Sequence, residues 1–243
     1  MKGIILAAGK GSRLSELNLK HKGFAIVQKH HIIDYSLDFL VGECVGKPLV
    51  SEIVVVVGYN ASAIIEYIGE VYKGVPVKYV FQNELKGIAH AMLMARTELD
   101  DDVVMCLADE VLLNPRLPQM MREFETKKLD CVCGVVVDGT DFSFKPIAYE
   151  IHDDWSISTV TEKPKAYRND LRGVGECIFS KRSLELLSLV KPNKVRGEYE
   201  MGDWIELIIN SFGNVKAFDI ADAYVNVNYA SDIAAANKML GSK

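Results

Sequence analysis

Within its first 22 residues the chain sets two glycines, Gly9 and Gly11, between an apolar run (Ile4, Ile5, Leu6, Ala7, Ala8) and two cations, Arg13 and Lys22. Glycine has no Cβ, so both positions can take φ > 0 and let backbone N–H groups close on a ligand. Arg13 offers a forked, permanently charged donor matched to phosphate, and Lys22 a more mobile point charge. Together they read as a cradle for a triphosphate. A Gly-x-Gly pair alone is weak evidence, because many turns carry two glycines for backbone reasons only. Two common phosphate loops are excluded: the dinucleotide fingerprint needs a third glycine where Leu14 stands, and the Walker loop needs Gly-Lys-Ser/Thr. A further chemical group is Asp109, in Leu107-Ala108-Asp109-Glu110. At the carboxyl end of a strand, opposite a triphosphate, such an acid reads as a Mg2+ ligand. In isolation it could equally cap a turn.

The elements that must position these groups alternate. Ile4–Ala8, the β-branched run Ile53–Val57, Val75–Val80 and Val103–Leu107 read as strands. Helices are expected at Ile32–Leu40, after a possible Asn60 cap, and over Gly87–Arg96. This rhythm implies right-handed βαβ units and an α/β, Rossmann-like doubly wound sheet, mixed but mostly parallel. In the second half, Cys131–Val137, Pro146–Ile151, Ser156–Thr161 and Gly175–Phe179 are strand-like runs separated by turns. They predict antiparallel strands appended to the parallel sheet. Helices return at Lys181–Leu189, Asp203–Ser211 and Ser231–Leu240, the last with Ser231 as its cap. A single domain, 1–243, is expected, with a nucleotide half (1–128) and an acceptor half (129–243).

Bulk composition narrows the class. At 49% apolar, the 243 residues suffice for a full core, and a net charge of −5 gives no reason to expect nucleic acid or an anionic membrane. No apolar stretch reaches spanning length and Met1-Lys2 leads straight into a strand, so a cytoplasmic protein is expected. The five cysteines, Cys44, Cys106, Cys131, Cys133 and Cys177, lie mostly in apolar runs and read as reduced core residues rather than a zinc site.

The string Leu6-Ala7-Ala8-Gly9-x-Gly11-Ser12-Arg13-Leu14 with a downstream Lys22 resembles the opening of the sugar-phosphate nucleotidyltransferase family, L-A-A-G-x-G-T/S-R-L followed by P-K. His21 stands where that family's proline usually is. Gln82-Asn83-Glu84-Leu85-Lys86-Gly87-Ile88-Ala89-His90-Ala91 is similar to its Q-x-x-x-x-G-T-A-x-A segment. There the glutamine side chain and the glycine backbone read the base edge, and glutamine can both donate and accept. His90 reads as a helix-face residue outside the site. Val160-Thr161-Glu162-Lys163-Pro164 matches V-x-E-K-P. The resemblance gives Lys163 the acceptor phosphate and the α-phosphate, and Glu162 the acceptor body. Asn226, in Tyr224-Val225-Asn226-Val227-Asn228, falls where the family has its second metal acid, with Asn228 a competitor. Asp203 matches an acceptor-side acid.

The resemblance implies nucleotidyl transfer from a nucleoside triphosphate, with Leu6 to Gly9, Gly11 and Ser12 against the nucleotide, Arg13, Lys22 and Lys163 catalytic, and Mg2+ as cofactor. The acceptor positions depart most. Ile147 replaces a glycine where a pyranose lies close to backbone, and Glu176 follows Gly175 where Ile or Leu is common. Glu176 could meet an acceptor amine or face outward, since strand neighbours alternate. These departures favour CTP with a phosphorylated or phosphonylated small acceptor, with sugar-1-phosphate nucleotidyl transfer as the alternative. A non-catalytic nucleotide-binding regulatory subunit and a nicotinamide-dependent oxidoreductase remain as other classes, and the sequence leaves homo-oligomerisation open.

Overall fold

The computed structural model describes residues 1–42, 47–137, 147–164 and 170–241. Cys44, Pro146 and Lys165 lie outside them. Eight strands form the main sheet: β1 (Lys2–Ala7), β2 (Ile53–Val57), β3 (Val71–Tyr72), β4 (Val75–Phe81), β5 (Val103–Leu107), β6 (Cys131–Val137), β7 (Leu171–Phe179) and β8 (Val215–Asp219). Their spatial order is β8-β6-β7-β5-β1-β2-β4-β3. β1 pairs in parallel with β2 and β5, and β2 with β4. This is the mostly parallel, mixed α/β sheet that the alternation predicts.

The second half carries the expected antiparallel strands, with one parallel pair among them. β7 runs against both β5 and β6, which leaves β6 and its parallel neighbour β8 aligned with β1, β2, β4 and β5. The cause is a crossover helix, α4 (Leu117–Lys127), that the sequence reading passed over. Its buried stripe is only Leu117, Met120 and Phe124 in an otherwise charged segment. A parallel neighbour needs such a crossover. Ile147–Ile151 and Ile157–Glu162 form a separate antiparallel hairpin beside the main sheet.

The remaining helices are α1 (Ile32–Val41), α2 (Ala61–Ile68), α3 (Ile88–Met94), α5 (Met201–Phe212) and α6 (Ala230–Gly241), with a 3-10 turn at Ser183–Leu189. Asp34 accepts the His31 N–H at 3.0 Å and closes the first turn of α1. Two expected caps fail. Asn60 has φ +49° and its side chain does not cap α2; it donates instead to the Lys20 carbonyl. Ser231 lies within α6, and Asp232 caps that helix by accepting the N–H groups of Asn228 (2.8 Å) and Tyr229 (2.7 Å).

Both sheet faces are covered, so successive residues of β2 feed different cores. Val54 and Val56 pack toward α3 and α5, and Val55 and Val57 toward α1, α2 and α4. Trp204 of α5 is fully buried, stacks on Phe179 of β7 at 3.9 Å between centroids, and donates from Nε1 to the Ser183 carbonyl at 3.1 Å. A small third cluster, including Leu14, Val111, Val227 and Ala236, ties α6 to the segment after β1. Cys106, Cys131, Cys133 and Cys177 are buried free thiols. Among the described residues no helix is long and apolar enough to cross a membrane.

Candidate functional site

β1 delivers the glycine turn. Gly11 has φ +60°, and its carbonyl accepts the Leu14 N–H at 2.9 Å. A Cβ on Gly11 would lie 2.6 Å from Lys22 Cβ, and one on Gly9 3.6 Å from Lys22 Nζ. The turn is therefore folded down onto the stem of Lys22. The Lys22 ammonium pairs with Asp109, which follows β5. Parallel pairing of β1 with β5 makes this meeting possible across 87 residues. His21, in the position of the expected proline, is buried and its Nδ1 accepts the Gly23 N–H at 3.0 Å. Burial, and then the Lys22 charge, push its pKa down. Arg13 is exposed, with its guanidinium 5.5 Å from the Tyr229 ring centroid.

Arg13 opens on a cleft of 310 Å³ whose walls also include Gly87, Glu162, Lys163, Gly175 and Asn226. The structure thus gathers residues from both halves of the chain. Glu162 and Lys163 arrive on the hairpin. Glu162 Oε1 accepts the Gly202 N–H at 2.9 Å, holding the start of α5. Burial raises the Glu162 pKa against that hydrogen bond. Lys163 has φ +46°, a backbone conformation that costs a non-glycine residue about 1 kcal/mol. It makes no hydrogen bond or salt bridge among the described residues.

The segment expected to read the base is tied to the opposite wall. Gly87 has φ +99°, and a Cβ there would lie 2.5 Å from the Tyr199 carbonyl oxygen. Tyr199 N–H donates to Lys86 O at 2.7 Å, and its carbonyl accepts the Ala89 N–H at 3.1 Å. Gln82 is buried at the end of β4, and its Nε2 reaches His90 Nδ1 (2.9 Å) and the Gly87 carbonyl (3.3 Å). His90, set aside on sequence grounds, is therefore the partner of the expected base reader. Only its position eight residues on, one turn into α3, could have signalled this.

Glu110 was also missed. It lines the cleft and is nearly fully buried. Its Oε2 accepts the Gly175 N–H at 2.8 Å, and its Oε1 accepts from Tyr224 OH (3.0 Å) and Asn226 Nδ2 (3.1 Å). Glu176 does not line the cleft. It is buried against Glu110, carboxyl to carboxyl. Two buried carboxyls in contact share a proton: burial and then the Asp109 charge raise the Glu110 pKa to about 7 against its hydrogen bond with Glu176, and burial and then the Glu110 charge raise that of Glu176. A raised folded-state pKa means that the stability contributed by this proton is complete below the unfolded value of about 4.5 and is lost as pH rises through the folded value. Glu176→Gln is therefore expected to match the parent in urea unfolding near pH 4.5 and to exceed it at pH 8. The gain is about 1.4 kcal/mol for each unit by which the pair's pKa is raised.

Asp203 also lies outside the cleft, in an adjoining 370 Å³ cavity with Arg196 and Glu200. Ile147 does line the cleft, but it packs over Gly173, where a Cβ would lie 2.2 Å from Ile147 Cγ2. The missing side chain of Gly173 takes up the bulk of Ile147. Of the two residues on which the non-hexose acceptor rested, Ile147 is a cleft wall seated over Gly173 of β7 and Glu176 lies outside the cleft lining.

For a divalent cation, the donors available are Asp109 and the amide oxygen of Asn226. Glu110 holds the Asn226 amide nitrogen, and Asn228 Nδ2 donates to its oxygen. Among the described residues no three acids, histidines or cysteines cluster as a metal cage. Mg2+ does not need one, since it commonly keeps waters and takes one or two carboxylates together with substrate phosphates. The donor set fits a cation that arrives with a triphosphate.

Comparison with known proteins gives the chain a family. The chain is 32% identical over 233 residues to the UTP–glucose-1-phosphate uridylyltransferase AglF of Haloferax volcanii, covering 96% of this chain and 93% of that protein. It is 26% identical to a glucose-1-phosphate thymidylyltransferase of Streptomyces antibioticus, covering 98% of this chain and 65% of that protein. Among solved structures, a UDP-glucose pyrophosphorylase complexed with UDP-glucose superposes with a TM-score of 0.80 at 17% identity, covering 99% of this chain and 98% of that one, a likeness of fold. The nucleotidyl transferase family profile matches residues 2–240, and the chain belongs to that family.

Proposed function

We propose that the protein transfers a nucleotidyl group from a pyrimidine nucleoside triphosphate to a sugar 1-phosphate, releasing pyrophosphate. The observation that carries this reading is the shared cleft of Arg13 and Lys163, cations without a salt bridge among the described residues, beside the glycine turn. An acceptor phosphate oxygen attacks the α-phosphorus, and the bond from that phosphorus to the pyrophosphate oxygen breaks. The attacking oxygen is already anionic at neutral pH, so no general base is required. The work is charge neutralisation and alignment. Arg13 and the N–H groups of the glycine turn hold the triphosphate, and Lys163 bridges acceptor phosphate and α-phosphate. Glu162 faces the acceptor body, and Gln82 with Gly87 faces the base. Asp109 and the Asn226 amide oxygen would hold Mg2+, which would supply charge neutralisation on the phosphates.

A sugar acceptor is preferred to the phosphonate or phosphocholine class because Glu176 is absent from the cleft lining and Gly173 leaves room for the side chain of Ile147. The names of the similar proteins point the same way. The test is pyrophosphate release over a matrix of UTP, dTTP, CTP, ATP and GTP against hexose 1-phosphates, phosphocholine and small phosphonates with Mg2+. Release with a hexose 1-phosphate supports the reading. Release with phosphocholine or a phosphonate alone overturns it, and triphosphate binding with no release points to a regulatory subunit.

A further inference from the structure

Gln82 has a partner that nucleotide transfer does not require. Its amide orientation is fixed by Gly87, whose carbonyl oxygen can only accept and therefore faces Nε2 at 3.3 Å. His90 Nδ1, 2.9 Å from the same Nε2, must then accept the second amide hydrogen. That requires the neutral ring protonated on Nε2. The groups facing His90 are Lys86 and Glu84 from the preceding segment and the Tyr199 ring, 5.7 Å away, from the segment before α5. Burial and then Lys86 lower the His90 pKa while Glu84 opposes, so the neutral ring prevails at pH 7. With both amide hydrogens held, Gln82 keeps only Oε1 for a ligand, as a pure acceptor.

We propose that His90 is a positioning residue for base selection: by holding Gln82 with its oxygen outward, it favours a base that presents an N–H at N3, uracil or thymine. Cytosine offers a lone pair at N3, which an acceptor-only Gln82 opposes. The proposal rests on the nucleotidyl-transfer reading only in setting the base of a triphosphate against Gln82. Without His90, the long contact to Gly87 alone holds the amide, and the freed hydrogen can serve cytosine.

Calorimetric binding of UTP, dTTP and CTP, without acceptor, tests this on the full chain. The parent is expected to bind UTP or dTTP at least about ten-fold more tightly than CTP, the scale of one unpaired buried polar contact. His90→Leu should bring the ratio within about three-fold, while His90→Asn, whose amide oxygen can replace Nδ1, should restore it. In the parent the ratio should also fall below pH 6.5, as Nδ1 becomes a donor, and His90→Asn should lack that fall. A structural role alone would move neither the rescue nor the pH profile. Equal binding of CTP by the parent, or an unchanged ratio in His90→Leu, overturns the proposal. If His90→Leu does not fold, the Asn variant and the pH profile still decide. Selective binding without pyrophosphate release upholds this inference and removes the transfer reading; release with an unaltered ratio in the variant does the reverse. Failure to bind any triphosphate overturns both.

Discussion

Lys163→Ala is expected to lower the rate of pyrophosphate release by about 10²–10³-fold, the usual cost of removing one preorganised charge from a developing anion. Triphosphate binding should change far less, because Arg13 and the glycine turn remain. The fold should be indifferent, since Lys163 makes no hydrogen bond or salt bridge among the described residues. Lys163→Gly separates the two effects further. At φ +46° a glycine relieves backbone strain, so that variant should unfold at equal or higher urea, by up to about 1 kcal/mol, and be equally inactive. Urea midpoints beside a continuous pyrophosphate assay check both. Substantial turnover in either variant would remove Lys163 from the chemistry.

Asp109→Asn should also cost about 10²–10³ in turnover, and should flatten its dependence on Mg2+. Here the fold is not indifferent. Asp109 and Lys22 are only 11% and 17% exposed in their side chains, and Lys22 is held beneath Gly11 with little freedom to swing into water. Loss of the carboxylate charge leaves that ammonium short of a partner, at about 1–3 kcal/mol. Magnesium titration of activity and urea unfolding give the two readouts. An unaltered magnesium profile would mean that Asp109 serves Lys22 alone.

The candidate residues legible in the sequence were those whose type and local spacing suggest phosphate chemistry. Gly9, Gly11, Arg13 and Lys22 form one short segment, and Asp109 ends a run that could only be a buried strand. What sequence could not show is pairing across the sheet. Glu110 becomes a site residue because it lies opposite Asn226 in the antiparallel pair after β5, 116 residues away. Tyr199 does so because its main chain is pinned to Lys86 and Ala89. Glu176 looked like an acceptor contact, yet the pleat of β7 turns it toward Glu110 beneath the cleft. Ile147 looked obstructive because its accommodation depends on the empty side chain of Gly173, on another strand. The crossover before β6 was hidden for a related reason: α4 has three buried apolar positions in eleven residues, too sparse a stripe to stand out from its charges.

The seating of the glycine turn on Lys22 has an evolutionary corollary. One side chain sets both the height of the glycine turn above the sheet and the charge beneath it. A longer or shorter residue at position 22 would lift or drop the loop even where its charge were kept, and a side chain at Gly11 would displace the cation even where the loop tolerated it. Drift at either position is therefore constrained by the other, and a lineage that relaxed one would have to rebuild both.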